Sequence, residues 1–315
     1  MSMSTGLLTS HVTDVVKQNG AALVGYAPIS RFENAPELYH PHRIFPQTKT
    51  VIAFAIPQIR GTIKAVEEGT YFNSYISDSY YFINEVLAPL MLRQVCMLLE
   101  DHGFTSVPIH NPFFAHMGRK IREEEPTGPD GMISLRVMGV AAGLGEFGMH
   151  KLLMTPEYGP RQRVYAILTD ADLEATPLFR GSVCDECKLC VTECQANAIG
   201  NKRDQIIKIE DVEFRHAPFN GNSCNMVHGG SNPEFNPFFT EEDTEGQPTK
   251  HRTRVYTRYR HYSACVGRGC IRSCMDHLEK TGKISRSNFV TPLIQRKRWD
   301  ASESWPLADK PPEKV

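Results

Sequence analysis

The sequence predicts an α/β (α+β) protein in which a helix-and-strand core is followed by a cysteine-rich domain. Helical and strand-like hydrophobic patterns alternate in the N-terminal half, and eight of the nine cysteines lie between Cys184 and Cys274. The length of 315 residues suits about two domains. We predict the first domain at residues 1–178, the second at 179–290 with a polar insertion at 214–262, and an extended tail at 291–315.

The first elements follow from hydrophobic spacing. Leu8, Val12 and Val16 share one helical face, and Gly20 ends that helix. A short strand is predicted over Ala21–Tyr26. The continuous apolar run Val51–Ile56 favours a buried strand.

The pattern becomes helical from Tyr80 to Asp101, and Gly103 supplies a C-terminal cap. Cys96 lies inside this helix, where a buried structural thiol is expected. Residues 111–131 are rich in charge, proline and glycine and indicate a loop or lid. The β-branched run Val164–Thr169 predicts another strand, and the composition changes at residues 175–182, before the cysteine-rich domain.

Charge and composition exclude several classes of protein. The 35 basic and 36 acidic residues give a net charge of −1, which argues against a nucleic-acid-binding surface. No apolar run approaches the ~18 residues that a membrane helix needs, so we expect no membrane span. The first ten residues contain neither Lys nor Arg. We therefore expect no secretory or twin-arginine signal, and a cytoplasmic location.

The cysteine spacing indicates iron–sulfur chemistry. Cys184, Cys187, Cys190 and Cys194 have the Cys-x2-Cys-x2-Cys-x3-Cys spacing of bacterial ferredoxins, in which the fourth cysteine ligates the other cluster. A second group is therefore expected, and it is present as Cys224, Cys265, Cys270 and Cys274. The crossing rule assigns two [4Fe–4S] clusters: one with Cys184, Cys187, Cys190 and Cys274, the other with Cys194, Cys224, Cys265 and Cys270.

Two departures from the ferredoxin pattern concern the ends of these runs. Gln195 and Met275 replace the usual proline, and four residues separate Cys265 from Cys270. Structural zinc and unligated thiols are the alternatives. Zinc sites prefer paired cysteines separated by a longer stretch, which this run does not provide.

The glycine cluster Gly143-Leu-Gly-Glu-Phe-Gly148 matches the dinucleotide-binding fingerprint, and Asp170 follows about 20 residues later. That fingerprint requires a long helix directly after the glycines, and Pro156 and Pro160 would interrupt one. A tight structural turn and a loop that lets the backbone approach another large planar cofactor remain open.

A longer stretch resembles a known family. Ala142–Gly148, Leu152–Arg161, Leu168–Asp170 and the cysteine run together resemble the reductive dehalogenase and epoxyqueuosine reductase superfamily. The resemblance implies a nitroreductase-like core that binds cobalamin in a base-off state, and a ferredoxin-like domain with two [4Fe–4S] clusters. Carried over by position, the corrin would be lined by Gly143, Leu144, Gly145, Leu153, Tyr158, Gly159 and Val164.

The resemblance also implies a two-electron reduction that needs a proton donor. Tyr75, Tyr80 and Tyr81 occupy the region of the dehalogenase tyrosine, and we select Tyr80. Asp130 matches the aspartate of the tRNA-modifying branch. We expect a reductase that acts on a small organic molecule, including organohalides, and receives electrons from an external low-potential donor of the ferredoxin or flavodoxin type. An electron-transfer protein without corrinoid and a corrinoid-reducing or corrinoid-delivering protein are the alternatives.

Overall fold

A computed structural model describes residues 4–110, 133–228, 230, 236, 264–267 and 269–294. In these ranges the helices are α1 (Thr5–Gln18), α2 (Arg60–Glu68), α3 (Ser74–Ile76), α4 (Ala88–Asp101), α5 (Leu135–Ala141), α6 (Leu189–Thr192), α7 (Gly221–His228) and α8 (Cys270–Thr281). A π-helical segment spans Ser77–Leu87, and 3-10 turns span Ile29–Phe32, Glu37–Tyr39, Pro41–Arg43 and Ala264–Gly267. The strands are β1 (Leu23–Pro28), β2 (Thr50–Pro57), β3 (Ser106–Ile109), β4 (Glu146–Phe147), β5 (Leu153–Met154), β6 (Gln162–Thr169), β7 (Gln205–Ile209) and β8 (Val212–His216).

A four-stranded antiparallel sheet in the order β1–β2–β6–β3 forms the centre of the N-terminal half. The two apolar runs predicted as buried strands are its middle strands, β2 and β6, which pair from Thr50↔Thr169 to Pro57↔Gln162. The edge strand β3 is not predicted from the sequence, because its four partly buried residues include Pro108 and give a weak pattern.

Both faces of this sheet are covered, since successive side chains of a strand point to opposite sides. On one face, Phe54 and Tyr165 pack against α1 and α4 in a cluster that includes Val12 and Leu92. On the other face, Val51, Ala53 and Leu168 belong to a cluster shared with α5 and with the β7–β8 hairpin. The cysteine-rich part of the chain is therefore packed directly on the core.

The long helical stretch Ser74–Asp101 corrects the expectation about apolar length. It has 28 residues and contains an 18-residue window with a mean hydropathy of 1.5, so by length and composition it could cross a membrane. Buried core helices have the same properties, and 44% of its most apolar window is buried in the protein. Met91, Val95 and Leu99 are almost fully buried against the sheet, as in a core helix.

Two ion pairs join α8 to the region around α2. Arg60 donates to both carboxylate oxygens of Glu279 at 2.8 and 2.7 Å, and Arg272 lies 3.5 Å from Glu67. The predicted insertion at 214–262 begins inside β8 and includes α7, and most of its remainder lies outside the described residues. The polar insertion therefore contributes regular structure to the cysteine-rich part.

Candidate functional site

The four cysteines assigned to the first cluster surround one small pocket. Cys184, Cys187, Cys190 and Cys274, which we call the first thiol set, all line it. Glu186 and Lys188 adopt φ angles of 59° and 62°, so left-handed residues flank Cys187 on both sides. Such residues turn the chain sharply. The run therefore presents its thiols to the same pocket that Cys274 of α8 reaches.

A buried carboxylate from the glycine loop holds the start of this run. Glu146 Oε1 accepts hydrogen bonds from the backbone N–H groups of Val183 at 2.5 Å and Cys184 at 2.9 Å. Its other oxygen receives Arg203 at 3.2 Å. Glu146 is 8% exposed, so these bonds are shielded from water. The glycine loop thus fixes the first ligand position.

The remaining cysteines, Cys194, Cys224, Cys265 and Cys270, form the second thiol set. Burial, followed by the neighbouring thiols of Cys224, Cys270 and Cys194, raises the pKa of Cys265 well above its usual value. The pKa of Cys270 is raised in the same way by burial, Cys224 and Cys194. The four thiols therefore lie within electrostatic reach of one another. Cys190 of the first thiol set also raises the pKa of Cys270, so the two sets are neighbours.

Two hydrogen bonds reach sulfur atoms of the second thiol set. The backbone N–H of Ala198 donates to Cys194 Sγ at 3.3 Å, and His228 Nδ1 lies 3.1 Å from Cys265 Sγ. Donors aimed at sulfur stabilise thiolates and metal-bound sulfur. This set is therefore supported by both backbone and side chain.

The chemistry of the eight sulfur donors fits iron–sulfur clusters. All nine cysteines are free thiols, and Cys96 lies apart in α4. Burial, with help from Cys184 and Cys187, raises the pKa of Cys190 to about 12. Buried thiols this close together become thiolates only when bound cations compensate their charge. Two groups of four sulfur donors are what two cubane clusters require.

A third arrangement of potential metal ligands overlaps the first thiol set. The ligand atoms of Asp185, Cys187 and His277 lie within 4.8 Å of one another. His277 Nε2 is already 2.8 Å from Asp185 Oδ2, and Lys283 lies 3.3 Å from the same oxygen. Because Cys187 belongs to the first thiol set, this surface group does not form a separate centre.

The structure describes Tyr80 but not Asp130, the other candidate proton donor. Tyr80 lies in the π-helical segment, and its hydroxyl is 3.0 Å from His228 Nε2. The guanidinium of Arg163 stacks 3.9 Å from the centre of its ring. Tyr80 is thereby linked through His228 to Cys265, while its role as proton donor stays a prediction. Asp130 lies outside the described residues.

The predicted corrin-lining residues pack against the protein itself. A Cβ on Gly143 would lie 2.2 Å from the carbonyl oxygen of Pro177, and one on Gly145 would lie 2.0 Å from that of Met154. Gly159 meets Leu278 in the same way at 2.7 Å. Leu144, Leu153 and Val164 are buried in the core cluster, and Tyr158 lies beside the Arg161 and Arg286 side chains. These glycines therefore serve tight packing, and no helix follows them, as the prolines predict.

A large cavity lies elsewhere and was not anticipated from the sequence. Its volume is about 1320 Å³, above the range of about 300–1,000 Å³ usual for small-ligand sites. None of the seven predicted corrin-lining residues lines it. Apolar side chains such as Phe32, Val137, Met138 and Phe219 form much of its wall. Asparagines lie among them: Asn34, Asn197, Asn220 and Asn222.

The cavity adjoins the second thiol set. Ala198, which lines the cavity, donates its N–H to Cys194 Sγ, and Asn197 donates its own N–H to the carbonyl oxygen of Cys194 at 3.0 Å. Asn220, another lining residue, accepts the backbone N–H of Cys224 at 3.1 Å through its carbonyl oxygen. In the sequence, the asparagines within four residues of Cys194 and Cys224 are the signal that could have indicated this side of the cavity.

Comparison with known proteins finds relatives that match one part of this chain. The tetrachloroethene reductive dehalogenase of Desulfitobacterium hafniense is 38% identical over 98 residues, which is 30% of this chain and 18% of that protein. The corresponding enzyme of Dehalobacter restrictus is 37% identical over the same length. The match thus covers less than a fifth of these relatives. No protein-family profile matches the chain.

The fold is shared more widely than the sequence. A reductive dehalogenase structure described as suggesting a mechanism for B12-dependent dehalogenation superposes over 92% of this chain and 39% of its own, with a TM-score of 0.54 and 13% identity. This likeness shows a common mixed helix-and-sheet fold. The local sequence match and the shared fold together confirm the resemblance of this chain to reductive dehalogenases.

Proposed function

We propose that this protein is a cobalamin- and iron–sulfur-dependent reductase that passes electrons through two [4Fe–4S] clusters to a base-off corrinoid, which reduces a small organic substrate. The observation that carries the proposal is the position of the 1320 Å³ cavity beside the second thiol set. A redox cofactor placed there would be next to a cluster. The reductase relatives favour the same chemistry.

The exposure of the cysteines supports a direction for the electrons. Cys187 of the first thiol set is exposed, while the members of the second thiol set are partly buried. An external low-potential donor of the ferredoxin or flavodoxin type would therefore reduce the first cluster. The proximity of Cys190 to Cys270 supports transfer to the second cluster, which adjoins the cavity.

The cavity fits a corrinoid in size and in chemistry. A corrin ring has a broad apolar face and a rim of amide groups. Apolar walls with interspersed asparagines offer contacts to both. When bound, the corrinoid would supply the electrons for the substrate. Tyr80 is not among the residues that line this cavity, and its role as proton donor stays a prediction. The predicted corrin lining at the glycine loop is not needed for this arrangement.

The proposal includes the finer assignments made from the sequence. The N-terminal domain, residues 1–178, would be a nitroreductase-like core, and residues 179–290 would be the ferredoxin-like domain. The substrate would be a small molecule, as in the dehalogenase complex with 3-bromo-4-hydroxybenzoic acid, which superposes with a TM-score of 0.50. We propose a cytoplasmic protein without a membrane or nucleic-acid partner.

Corrinoid binding tests the proposal directly. Anaerobically reconstituted full-length protein should bind hydroxocobalamin at about one equivalent per chain, with a change in its visible spectrum. Ala35 lines the cavity, and Ala35→Trp should obstruct part of it and weaken binding at least tenfold. Trp at the fully exposed Val290 serves as the control and should leave binding unchanged. Binding that is absent, or that Ala35→Trp leaves intact, would contradict the proposed location.

Iron content tests the ligand assignment. Wild-type protein should contain about eight irons, and Cys190→Ala should lower this to about four, because one cluster loses a buried ligand. Cys96→Ala is the matched control, since Cys96 lies in α4 away from both thiol sets, and it should retain all the iron. Eight irons in Cys190→Ala would refute the assignment.

An iron–sulfur electron-transfer protein without corrinoid is the second candidate. The close packing of Gly143 and Gly145 against the backbone of Pro177 and Met154 favours it, because the glycine loop then needs no cofactor. About eight irons without corrinoid binding would support this candidate. Corrinoid that leaves readily to an acceptor protein would instead support corrinoid delivery.

A further inference from the structure

A buried histidine lines the pocket of the first thiol set. His150 is 2% exposed and faces the same pocket as Cys184, Cys187, Cys190 and Cys274. It is not a cysteine, and nothing in the proposed electron path uses it. An imidazole nine-tenths buried beside four thiols requires an explanation, because buried polar groups normally have hydrogen-bond partners.

The hydrogen-bond pattern fixes which ring nitrogen carries the hydrogen. The backbone N–H of Leu152 donates to His150 Nδ1 at 3.2 Å. Because Nδ1 accepts this hydrogen bond, it carries no hydrogen itself. A neutral ring that accepts at Nδ1 carries its hydrogen on Nε2. No hydrogen bond joins Nε2 to another residue in the described part of the chain.

The orientation of the ring depends on Gly148. A Cβ at Gly148 would lie 2.5 Å from Cε1 and 2.9 Å from Nδ1 of His150. The Nδ1–Cε1 edge therefore rests on the backbone of Gly148. The position is rigid, since the turn is closed by the Lys151 N–H bond to the Gly148 carbonyl oxygen at 3.0 Å.

We propose that His150 donates its Nε2–H to a sulfur of the first [4Fe–4S] cluster and thereby raises the reduction potential of that cluster. The inference rests on the proposed function only in requiring a cluster in the first thiol set. Hydrogen bonds to cluster sulfurs are one of the factors that set reduction potentials. A donor stabilises the reduced cluster more than the oxidised one, because the reduced cluster carries more negative charge. His150 is thus a positioning and tuning residue of the cluster in the first thiol set.

Two substitutions distinguish the contribution of the Nε2–H donor of His150 from that of its ring. His150→Phe keeps a planar ring and removes the donor, whereas the amide of His150→Gln places an N–H close to the position of Nε2. In anaerobically reconstituted full-length protein, we expect His150→Phe to lower the ratio of reduced to oxidised first cluster at fixed potential by about tenfold, which corresponds to about 59 mV. His150→Gln should restore most of this ratio. EPR-monitored redox titration measures it, with the second cluster as the internal control.

A third substitution moves the ring without removing it. Gly148→Ala should displace the imidazole and shift the potential in the same direction as His150→Phe. His102→Phe, in which the substituted histidine caps α4 far from the thiols, should change neither cluster.

Each outcome bears on a defined claim. Eight irons with unchanged potentials in His150→Phe and Gly148→Ala would overturn this inference and leave the clusters established. Loss of the first cluster in both His150→Phe and His150→Gln would assign His150 to packing and also overturn it. A wild-type protein without iron would overturn the proposed function itself.

Discussion

At the scale of single residues, Glu146 connects the two halves of the sequence. The sequence leaves both a tight turn and a cofactor loop open for the glycine cluster, and the carboxylate inside it accepts the backbone N–H groups of Val183 and Cys184 and pairs with Arg203. The glycine loop therefore anchors Cys184, the first cysteine of the run. Its glycines allow the close backbone approach that puts Glu146 in reach.

Removing this carboxylate should destabilise the cysteine loop. We expect Glu146→Ala to lower the free energy of unfolding by about 3 kcal/mol, because two buried N–H groups and one guanidinium lose their acceptor. Glu146→Gln keeps an acceptor oxygen and should cost about half as much. Urea denaturation of the reconstituted protein measures both changes.

A surface carboxylate provides the control for this substitution. Glu213 pairs with Arg215 at 2.7 Å, and about half of each side chain is exposed. Glu213→Ala should change the free energy of unfolding by about 0.5 kcal/mol or less, because exposed pairs contribute little. Equal effects of Glu146→Ala and Glu213→Ala would show that Glu146 does not anchor the loop.

At the scale of elements, the π-helical segment Ser77–Leu87 determines what Tyr80 contacts. Wide turns of this kind are uncommon and occur often at functional sites. The segment directs Tyr80 towards His228 and Arg163, while the next residue, Tyr81, is exposed. Hydrophobic spacing predicts a helix here, but it does not distinguish a π turn from an α turn.

If Tyr80 supplies the proton, Tyr80→Phe should lower kcat about a hundredfold or more, because general acid catalysis contributes on that scale. Iron content and corrinoid binding should stay at wild-type levels. Turnover of a substrate that the wild-type protein reduces, with a chemically reduced dye as electron donor, is the assay. Tyr81→Phe is the neighbouring control and should keep full activity; an unimpaired Tyr80→Phe would remove Tyr80 from the mechanism.

The elements that the sequence predicts well are those with strong local patterns. The central strands β2 and β6 are continuous apolar runs, and α1 has apolar residues on one face. The hairpin β7–β8 is missed, because exposed charged residues such as Lys208, Glu213 and Arg215 interrupt its pattern. The hairpin is held in place by the packing of Ile209 and Phe214 on the core, and the local sequence does not encode this packing.

At the scale of the whole molecule, the cysteine-rich part is held on the core by charge as well as by apolar contact. Arg60 and Glu279 form a two-pronged pair whose side chains are 10% and 8% exposed. Met275 and Leu278 of α8 share a cluster with Ile63 and Val66 of α2. The first thiol set therefore depends on contacts that come from the N-terminal half.

A double-mutant cycle on this pair should reveal coupling between the two halves. We expect Arg60→Met and Glu279→Gln to show an interaction energy of about 2 kcal/mol in urea denaturation, because the pair is bidentate and shielded. The same cycle on the exposed pair Arg180 and Asp211 should show no measurable interaction energy, because exposed ion pairs contribute little. Additive effects at Arg60 and Glu279 would show that this ion pair does not join the halves.

The two parts of the candidate site differ in how far the sequence predicts them. Spacing together with the ferredoxin crossing rule groups the cysteines, since the Cys-x2-Cys-x2-Cys run shares one site and the cysteine after the three-residue gap ligates the other. The cavity could not be found in this way, because its wall combines three distant stretches around Phe32, Met138 and Asn220. Residues that far apart in the chain meet only through the fold.

The exposure of Cys187 has a consequence for handling the protein. This thiol lies at the surface between two left-handed residues, whereas each cysteine of the second thiol set is partly buried. Oxygen would reach a cluster in the first thiol set first, and oxidative loss of iron would begin at that cluster. Samples left in air should therefore lose about half of their iron first, and the cluster of the second thiol set should be lost last.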